Sequence, residues 1–175
     1  MSFNSRTRTG RPDAEPAPPL TAAVLERSAL WHLGRRALTT PELRQALEKK
    51  AGRHPDHPES AAWIEALVTR FTSSQVLDDP RTARDRIEVG RGRGWSKRRI
   101  EQKLRGVDAD VKTEAFSAVQ AESGAESAAA AELAAAMIFV EKKRLGAKDP
   151  QKALGALARQ GFSYAVAKAA LSGNA

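Results

Sequence analysis

A polar residue followed by apolar residues four and eight positions later occurs three times along this chain, at similar intervals. The three copies are Thr39 with Leu43 and Leu47, Ser96 with Ile100 and Leu104, and Asp149 with Ala153 and Leu157. A polar N-cap side chain accepts from free N–H groups of the first helical turn, and a spacing of four places apolar residues on one helix face. The pattern predicts three similar amphipathic helices. Chance repetition within an all-helical protein is the alternative.

Local signals around two of these sites favour a helix start. Thr39 and Glu42 have the spacing of a capping box, in which each residue satisfies a backbone N–H of the other. Pro150 directly follows Asp149, and proline is favoured at the first helical position.

Other apolar stripes with helical spacing lie before and after each copy. They are Ala22 to Leu33, Ile64 to Phe71, Ala83 to Ile87, Val111 to Val119, Leu133 with Met137, Val140 and Arg144, and Val166 to Ala170. We expect the glycine-rich segment 90–94 to break one helix and Gly161 to end another. The count is nine helices in three sets of three, so we predict an all-α fold of three tandem repeats, at residues 20–76, 77–122 and 123–175.

Residues 1–19 contain three arginines and four prolines. This segment has too few apolar residues to form a core, and its prolines interrupt helical hydrogen bonding. We predict a disordered arm.

The composition excludes several classes of protein. The 175 residues include no cysteine, which removes disulfides, thiolate metal sites and cysteine nucleophiles. No apolar run reaches the roughly twenty residues of a membrane span, and the N-terminus lacks the apolar core of a secretory signal. We expect a cytoplasmic protein with no membrane partner.

Three short motifs resemble catalytic, metal-binding or phosphate-binding sites but have simpler interpretations. His54 and His57 lie in a proline-containing loop without cysteine nearby, so solvated histidines are favoured over a metal site. Asp78 and Asp79 precede Pro80, so helix capping is favoured over acid–base chemistry. The glycines of segment 90–94 are not followed by a Walker-type lysine. We predict no enzymatic activity, no catalytic residues, no metal and no cofactor.

Positive charge is concentrated in one segment. The chain has a net charge of +8, and residues 81–105 contain ten lysines and arginines against three acidic residues. Like charges at this density repel unless an anionic partner approaches, although a solvated face of two helices is the alternative. The candidate partner-binding residues are Arg84, Arg91, Arg93, Trp95, Lys97, Arg98, Arg99 and Lys103. Trp95 lies among these charges, where an amphipathic aromatic residue often anchors an interface.

Several short motifs follow one another over residues 25–171. They are Ala29-Leu30 with Leu33 and Arg35; Thr39-x-x-Glu42-Leu43-x3-Leu47; Leu77-Asp78-Asp79; Gly94-x5-Ile100-x3-Leu104-x-Gly106-Val107; Lys142-Lys143; Leu157; and Gly161-Phe162-Ser163. Their order and separation resemble the RecX family, regulators of the RecA recombinase. The chain departs from the family at Thr82, where an aromatic residue is usual, at Gln160, where arginine is common, and in a shorter Leu104–Gly106 connection.

The resemblance implies an elongated all-α protein that lies in the groove of the RecA filament on single-stranded DNA. There it would bridge RecA subunits and restrain filament growth, ATP hydrolysis and strand exchange. We expect the protein to act as a monomer, with direct DNA contact as an additional feature. The alternative function is a general basic nucleic-acid-binding protein or a transcriptional regulator, although no base-reading side chains can be identified.

Overall fold

A computed structural model of the chain describes residues 19–173. Within this range the chain forms nine α-helices, one 3-10 helix and no strand, which confirms the all-α prediction. The helices are α1 (Ala22–Leu33), α2 (Thr40–Ala51), α3 (Ser60–Ser73), α4 (Asp79–Gly92), α5 (Lys97–Lys103), α6 (Ala109–Glu122), α7 (Ala128–Lys143), α8 (Pro150–Gln160) and α9 (Tyr164–Ser172), with the 3-10 helix at Leu145–Ala147. Except for Pro19, the predicted arm at 1–19 lies outside the described residues.

The buried side chains form three separate hydrophobic clusters, one for each successive set of three helices. The first uses α1 to α3, the second α4 to α6, and the third α7 to α9. We call these sets unit 1, unit 2 and unit 3. Leu77, where we placed the start of the second repeat, packs in the cluster of unit 1. Each cluster is small, so the units gain stability from contacts with their neighbours.

The repeated polar–apolar pattern marks the second helix of each unit. Ser96 and Asp149 accept from the backbone N–H three residues ahead at 3.1 and 3.0 Å, and the predicted capping box of Thr39 and Glu42 is present. The apolar partners, Leu43, Leu47, Ile100, Leu104, Ala153 and Leu157, are all at most 1% exposed. The pattern therefore identified the centre of each core.

The predicted break at segment 90–94 is confirmed, but it lies in the second half of the segment. Helix α4 continues through Gly90 and ends at Gly92, and only Gly94 leaves the helical conformation. Gly90 packs so closely on α5 that a Cβ atom there would lie 2.8 Å from Cγ1 of Ile100. The absence of a side chain thus serves helix packing at this position.

Helix α7 is present, but its predicted buried stripe is wrong in part. Val140 is buried together with Ala135, Ala136 and Phe139, whereas Met137 is 38% exposed. Arg144 lies beyond the helix as its C-cap, with a left-handed backbone. The buried face of α7 thus combines two alanines, which allow a close approach, with Phe139 and Val140, and it leaves Met137 outside.

Hydrogen bonds join unit 1 to unit 2. The Thr40 N–H donates to Oδ1 of Asp79 at 2.7 Å, and Arg86 donates to Oε2 of Glu42 at 2.6 Å and to the carbonyl of Ala37 at 3.0 Å. Asp78 caps α4, as expected for one residue of the aspartate pair, while Asp79 makes this connection between units.

None of the helices in residues 19–173 has the length and apolarity needed to cross a membrane.

Candidate partner-binding surface

The eight predicted binding residues all belong to one helix–loop–helix segment of unit 2. Arg84 and Arg91 lie on α4, Arg93 is its C-cap, and Trp95 is in the connecting loop. The others, Lys97, Arg98, Arg99 and Lys103, lie on α5. The structure therefore keeps the candidate residues together, but it gives them different surroundings.

The loop between α4 and α5 is fixed against unit 3. Gly94 has a φ of +74°, and a Cβ atom there would lie 2.7 Å from the backbone nitrogen of Phe139. Lys142 extends from α7 and donates to the carbonyl oxygen of Gly92 at 2.7 Å. The chain can turn this close to α7 because glycine occupies position 94.

Two guanidinium groups lie close to the ring of Trp95. The guanidinium carbon of Arg99 is 4.9 Å from the indole ring centroid and that of Arg93 is 5.6 Å away, both within the range of cation–π attraction. Trp95 itself is half-buried and packs against the cluster of unit 2. One part of the indole thus supports the core, while the arginines beside it hold positive charge at the surface.

Arg91 is bound within the molecule. Its guanidinium donates to Oε2 of Glu132 on α7 at 2.5 Å, and the two side chains are 17% and 18% exposed. The backbone N–H of Lys97 approaches both carboxylate oxygens of Glu132 at 3.1 Å. Glu132 therefore joins α7 to both helices of the segment, and Arg91 contributes to this junction.

Arg84 and Lys97 also have acidic neighbours, but at more exposed positions. Arg84 pairs with Glu122 on α6, with both side chains about half exposed. The Lys97 ammonium lies 3.9 Å from Glu101 one turn later, and 5.2 Å from the ring centroid of Phe116. Exposed pairs of this kind are weak and remain available to a stronger anionic partner.

Three predicted cations face solvent without a carboxylate partner. Across residues 19–173, no acidic side chain lies within salt-bridge distance of Arg93, Arg98 or Lys103, and all three are exposed. Arg99 is half-buried, and its guanidinium donates to the neutral side-chain oxygen of Gln160. These residues leave a net positive surface on unit 2.

A groove of about 480 Å³ continues this surface toward unit 1. Its cationic lining is Arg36, Arg86, Arg93 and Lys103, and its apolar lining is Ala37, Val89 and Trp95, with Thr82 and the carboxylates Glu42 and Asp85. Val89 is 49% exposed. The buried Thr82, where the resemblance favours an aromatic residue, occupies the wall of this groove.

Arg86 was not predicted from the sequence, although it lies within the basic segment. It donates to Glu42 and to the backbone carbonyls of Ala37 and Lys103. Burial raises the pKa of Glu42, but the hydrogen bonds from Arg86 and the Thr39 N–H outweigh that effect, so its pKa lies below the ordinary value. The acidic partner of Arg86 is far away in the sequence, so local charge counting could not identify it.

The other two tryptophans lie in unit 1, away from this segment. Trp63 packs half-buried against the core of unit 1. Trp31 is 58% exposed, with the guanidinium of Arg35 at 4.8 Å from its ring centroid. Thus Trp31, rather than Trp95, is the most exposed of the three.

The histidine pair considered as a metal site lies in a loop, where His57 contacts other side chains. His57 lies 3.1 Å from a carboxylate oxygen of Glu59 and near the ring of Trp63, in the loop between α2 and α3. In the part of the chain that the structure describes, no three His, Cys, Asp or Glu side chains are grouped for a metal ion.

Three small helical units with separate cores, joined by polar contacts and carrying a cationic surface, define a helical-repeat protein. In this class the exposed faces of successive repeats form the binding surface. The chain belongs to the RecX family. It is 33% identical over 171 residues to "Regulatory protein RecX" of Myxococcus xanthus, an alignment covering 89% of this chain and 88% of that protein.

A second relative supports the same assignment. "Regulatory protein RecX" of Agrobacterium fabrum is 31% identical over 153 residues, covering 79% of this chain and 77% of that protein. No family model matches the chain. No solved structure matches it either.

Proposed function

We propose that this protein is a cytoplasmic regulator of RecA, acting as a monomer that binds in the groove of the RecA filament on single-stranded DNA and mostly inhibits it. Membership of the RecX family supports RecA as the partner. The observation that carries the filament contact is that Arg93, Arg98 and Lys103 are exposed and have no salt-bridge partner among residues 19–173, with Arg93 and Lys103 in one groove with Trp95. It combines charge with an aromatic anchor, as protein interfaces often do.

The repeated architecture supports a repeated partner. A filament presents equivalent surfaces at regular intervals, and a chain of similar units can contact several of them at once. Because the contacts are linked, the second forms at a high effective concentration even if each is weak alone. Binding along the groove would therefore tolerate weak individual contacts.

The joints between units support restraint as the mechanism. Arg86 with Glu42 fixes unit 1 to unit 2, and Glu132 with Arg91 fixes unit 2 to unit 3. A body stiffened in this way would resist the relative movement of the subunits it bridges, and its volume would obstruct incoming duplex DNA. Inhibition by this route needs no covalent step.

The test measures DNA-stimulated ATP hydrolysis by RecA with increasing amounts of this protein. We expect inhibition at substoichiometric amounts, and unchanged hydrolysis up to equimolar protein would overturn the proposal. The variant R93A/R98A/K103A removes the three cations that have no salt-bridge partner among residues 19–173, and it should lose inhibition. The matched control R27A/K49A/R53A removes three exposed cations from unit 1, and it should inhibit as the wild type does.

A general nucleic-acid-binding function is the second candidate, favoured by the closeness of Arg93 and Arg99 to the ring of Trp95. Stacked aromatic and guanidinium groups also bind single-stranded nucleic acid. Co-sedimentation with RecA filaments and with bare single-stranded DNA at the same salt separates the two functions. Preference for the filament supports the regulator, whereas equal binding to both favours the general nucleic-acid binder.

A further inference from the structure

A small notch lies where α5 of unit 2 meets the end of α8 in unit 3. Its volume is about 250 Å³, and its lining contains the arginines Arg98, Arg99 and Arg159 with Gln102, Gln160 and Gly161. No carboxylate belongs to this lining. By contrast, six other arginines of residues 19–173 pair with glutamates, namely Arg36, Arg44, Arg70, Arg84, Arg86 and Arg91.

The packing of the two units holds the notch open in a defined shape. Ser96 Oγ donates to the carbonyl oxygen of Gln160 at 2.5 Å, which ties the start of α5 to the end of α8. Gly161 has a φ of +92°, and a Cβ atom there would lie 2.8 Å from Ser96 Oγ and 3.3 Å from Cβ of Arg98. A glycine at this position therefore lets Arg98 approach α8 closely.

One of the three guanidinium groups is already oriented. Arg99 stacks on Trp95 at 4.9 Å and donates to the side-chain oxygen of Gln160. Because Gln160 is neutral, this hydrogen bond orients the guanidinium without neutralising its charge. A planar donor group held in place in this way loses little further freedom when it binds an oxyanion.

Stabilising the end of α8 does not account for three arginines. Cations near a helix C-terminus interact favourably with its dipole, and Arg159 in the last turn has that position. The terminal carbonyl of Gln160 already accepts from Ser96. Arg98 and Arg99 come from another unit, and bringing them beside Arg159 adds like-charge repulsion that a bound anion would remove.

We propose that this notch is a binding site for a tetrahedral phosphate oxyanion, with Arg98, Arg99 and Arg159 as the ligating groups. Arginine donors match phosphate in both charge and geometry. The volume of about 250 Å³ leaves space for a phosphate group with part of its hydration. The phosphate can come from a nucleic-acid backbone or from a free phosphate compound. The site goes beyond the proposed function because it needs no RecA.

The first experiment measures binding of a fluorescein-labelled oligothymidylate to the full chain by anisotropy, without RecA, over a range of salt concentrations. R159A should bind about tenfold more weakly, because a charged hydrogen-bonded contact is lost. Its log–log salt dependence should flatten by about 0.7, the value for one phosphate contact on a single strand. R53A removes an exposed arginine from unit 1 and should change neither quantity.

The second experiment distinguishes the source of the phosphate. Inorganic phosphate and ATP are titrated against wild type and R159A by isothermal calorimetry, and a methylphosphonate oligomer, which lacks backbone charge, replaces the labelled strand. Loss of oligothymidylate binding alone in R159A assigns the notch to a nucleic-acid backbone, and loss of free phosphate binding assigns it to a phosphate compound. The methylphosphonate oligomer should show no dependence on Arg159.

The proposal fails if R159A and R98A retain wild-type affinity for both the strand and the free phosphates. Arg159 is exposed, so its replacement leaves the cores intact, and circular dichroism verifies folding of each variant. R159K keeps the charge but removes the planar donor pair. It should keep the wild-type salt dependence while binding more weakly, a result that diffuse surface charge would not produce.

Discussion

Ser96 Oγ donates to the backbone carbonyl oxygen of Gln160 at 2.5 Å and, with the same oxygen, accepts from the backbone N–H of Arg99 at 3.1 Å. Ser96 is completely buried. One hydroxyl thus caps α5 and holds unit 3 against unit 2. The two roles use its donor and its acceptor capacity separately.

We expect S96A to lower the free energy of unfolding by about 2–4 kcal/mol, since it removes a cap and leaves a carbonyl without its donor. Urea unfolding followed by circular dichroism measures this change. S163A is the matched control, because Ser163 only caps α9 at an exposed site, with its acceptor bond at 3.3 Å. Its loss should be about 1 kcal/mol. Equal losses in the two variants would contradict the double role of Ser96.

G94A tests the close approach of the α4–α5 loop to α7. A Cβ atom at position 94 would meet the backbone of Phe139 at 2.7 Å, and the left-handed φ adds strain. G124A introduces similar strain, with a φ of +68°, but meets nothing within 4 Å. We expect a loss of about 1 kcal/mol for G124A and a further 1–3 kcal/mol for G94A. Thermal unfolding of both variants measures the difference, which should vanish if the loop can move away freely.

E132Q tests the junction of α7 with α4 and α5. It should destabilise the protein by about 1–3 kcal/mol, because a largely buried charged hydrogen bond to Arg91 is weakened. E122Q breaks the Arg84 pair, in which both side chains are about half exposed, and should cost at most about 1 kcal/mol. Unfolding of the two variants in guanidinium chloride measures the two losses of stability. A greater loss in E122Q would show that the Glu132 junction is not a principal contact.

Glu42 makes the joint between units 1 and 2 sensitive to acid. Its pKa in the folded protein lies below the ordinary value of 4.5. The carboxylate therefore contributes stability that is complete well above pH 4.5 and is lost as pH falls through the depressed folded pKa. We expect stability measured by urea unfolding to fall over this acidic range in wild type and to fall less in E42Q. Parallel curves for the two proteins would exclude this contribution.

Trp95 should report filament binding if unit 2 faces the partner. In the variant W31F/W63F, Trp95 is the only remaining tryptophan of the protein. Burial of its exposed part should shift its emission to shorter wavelength when RecA filaments are added. The variant W63F/W95F keeps only the exposed Trp31 as a reference for contact through unit 1. An unchanged spectrum of Trp95 would place the contact elsewhere.

Local sequence signals predicted the helices well because the interactions that start and end them are local. Ser96 and Asp149 cap helices through residues three positions away, and Gly161 ends α8 with a left-handed conformation. Within segment 90–94, the sequence could not show which glycine ends the helix, because glycine has two roles there. Gly94 turns the chain, whereas Gly90 permits close helix packing, and only the position of Ile100 distinguishes them.

Local sequence signals could not predict whether each cation is paired with a carboxylate. Arg91 and Arg93 carry the same charge and are two residues apart in the sequence. Only Arg91 forms a salt bridge, with Glu132 on α7 of the next unit. Arg159 was not among the candidates because it lies outside the basic segment and joins Arg98 only through folding. Tertiary pairing therefore decides which positive charges remain available.

The double use of the Ser96 hydroxyl also bears on cooperativity. If unit 3 separates from unit 2, α5 keeps its cap but Gln160 loses its donor; if α5 frays, the same separation follows because the hydroxyl moves away. Fraying of α5 and separation of unit 3 are thereby coupled through one hydroxyl group. Denaturation should cross this boundary in a single transition rather than stop there.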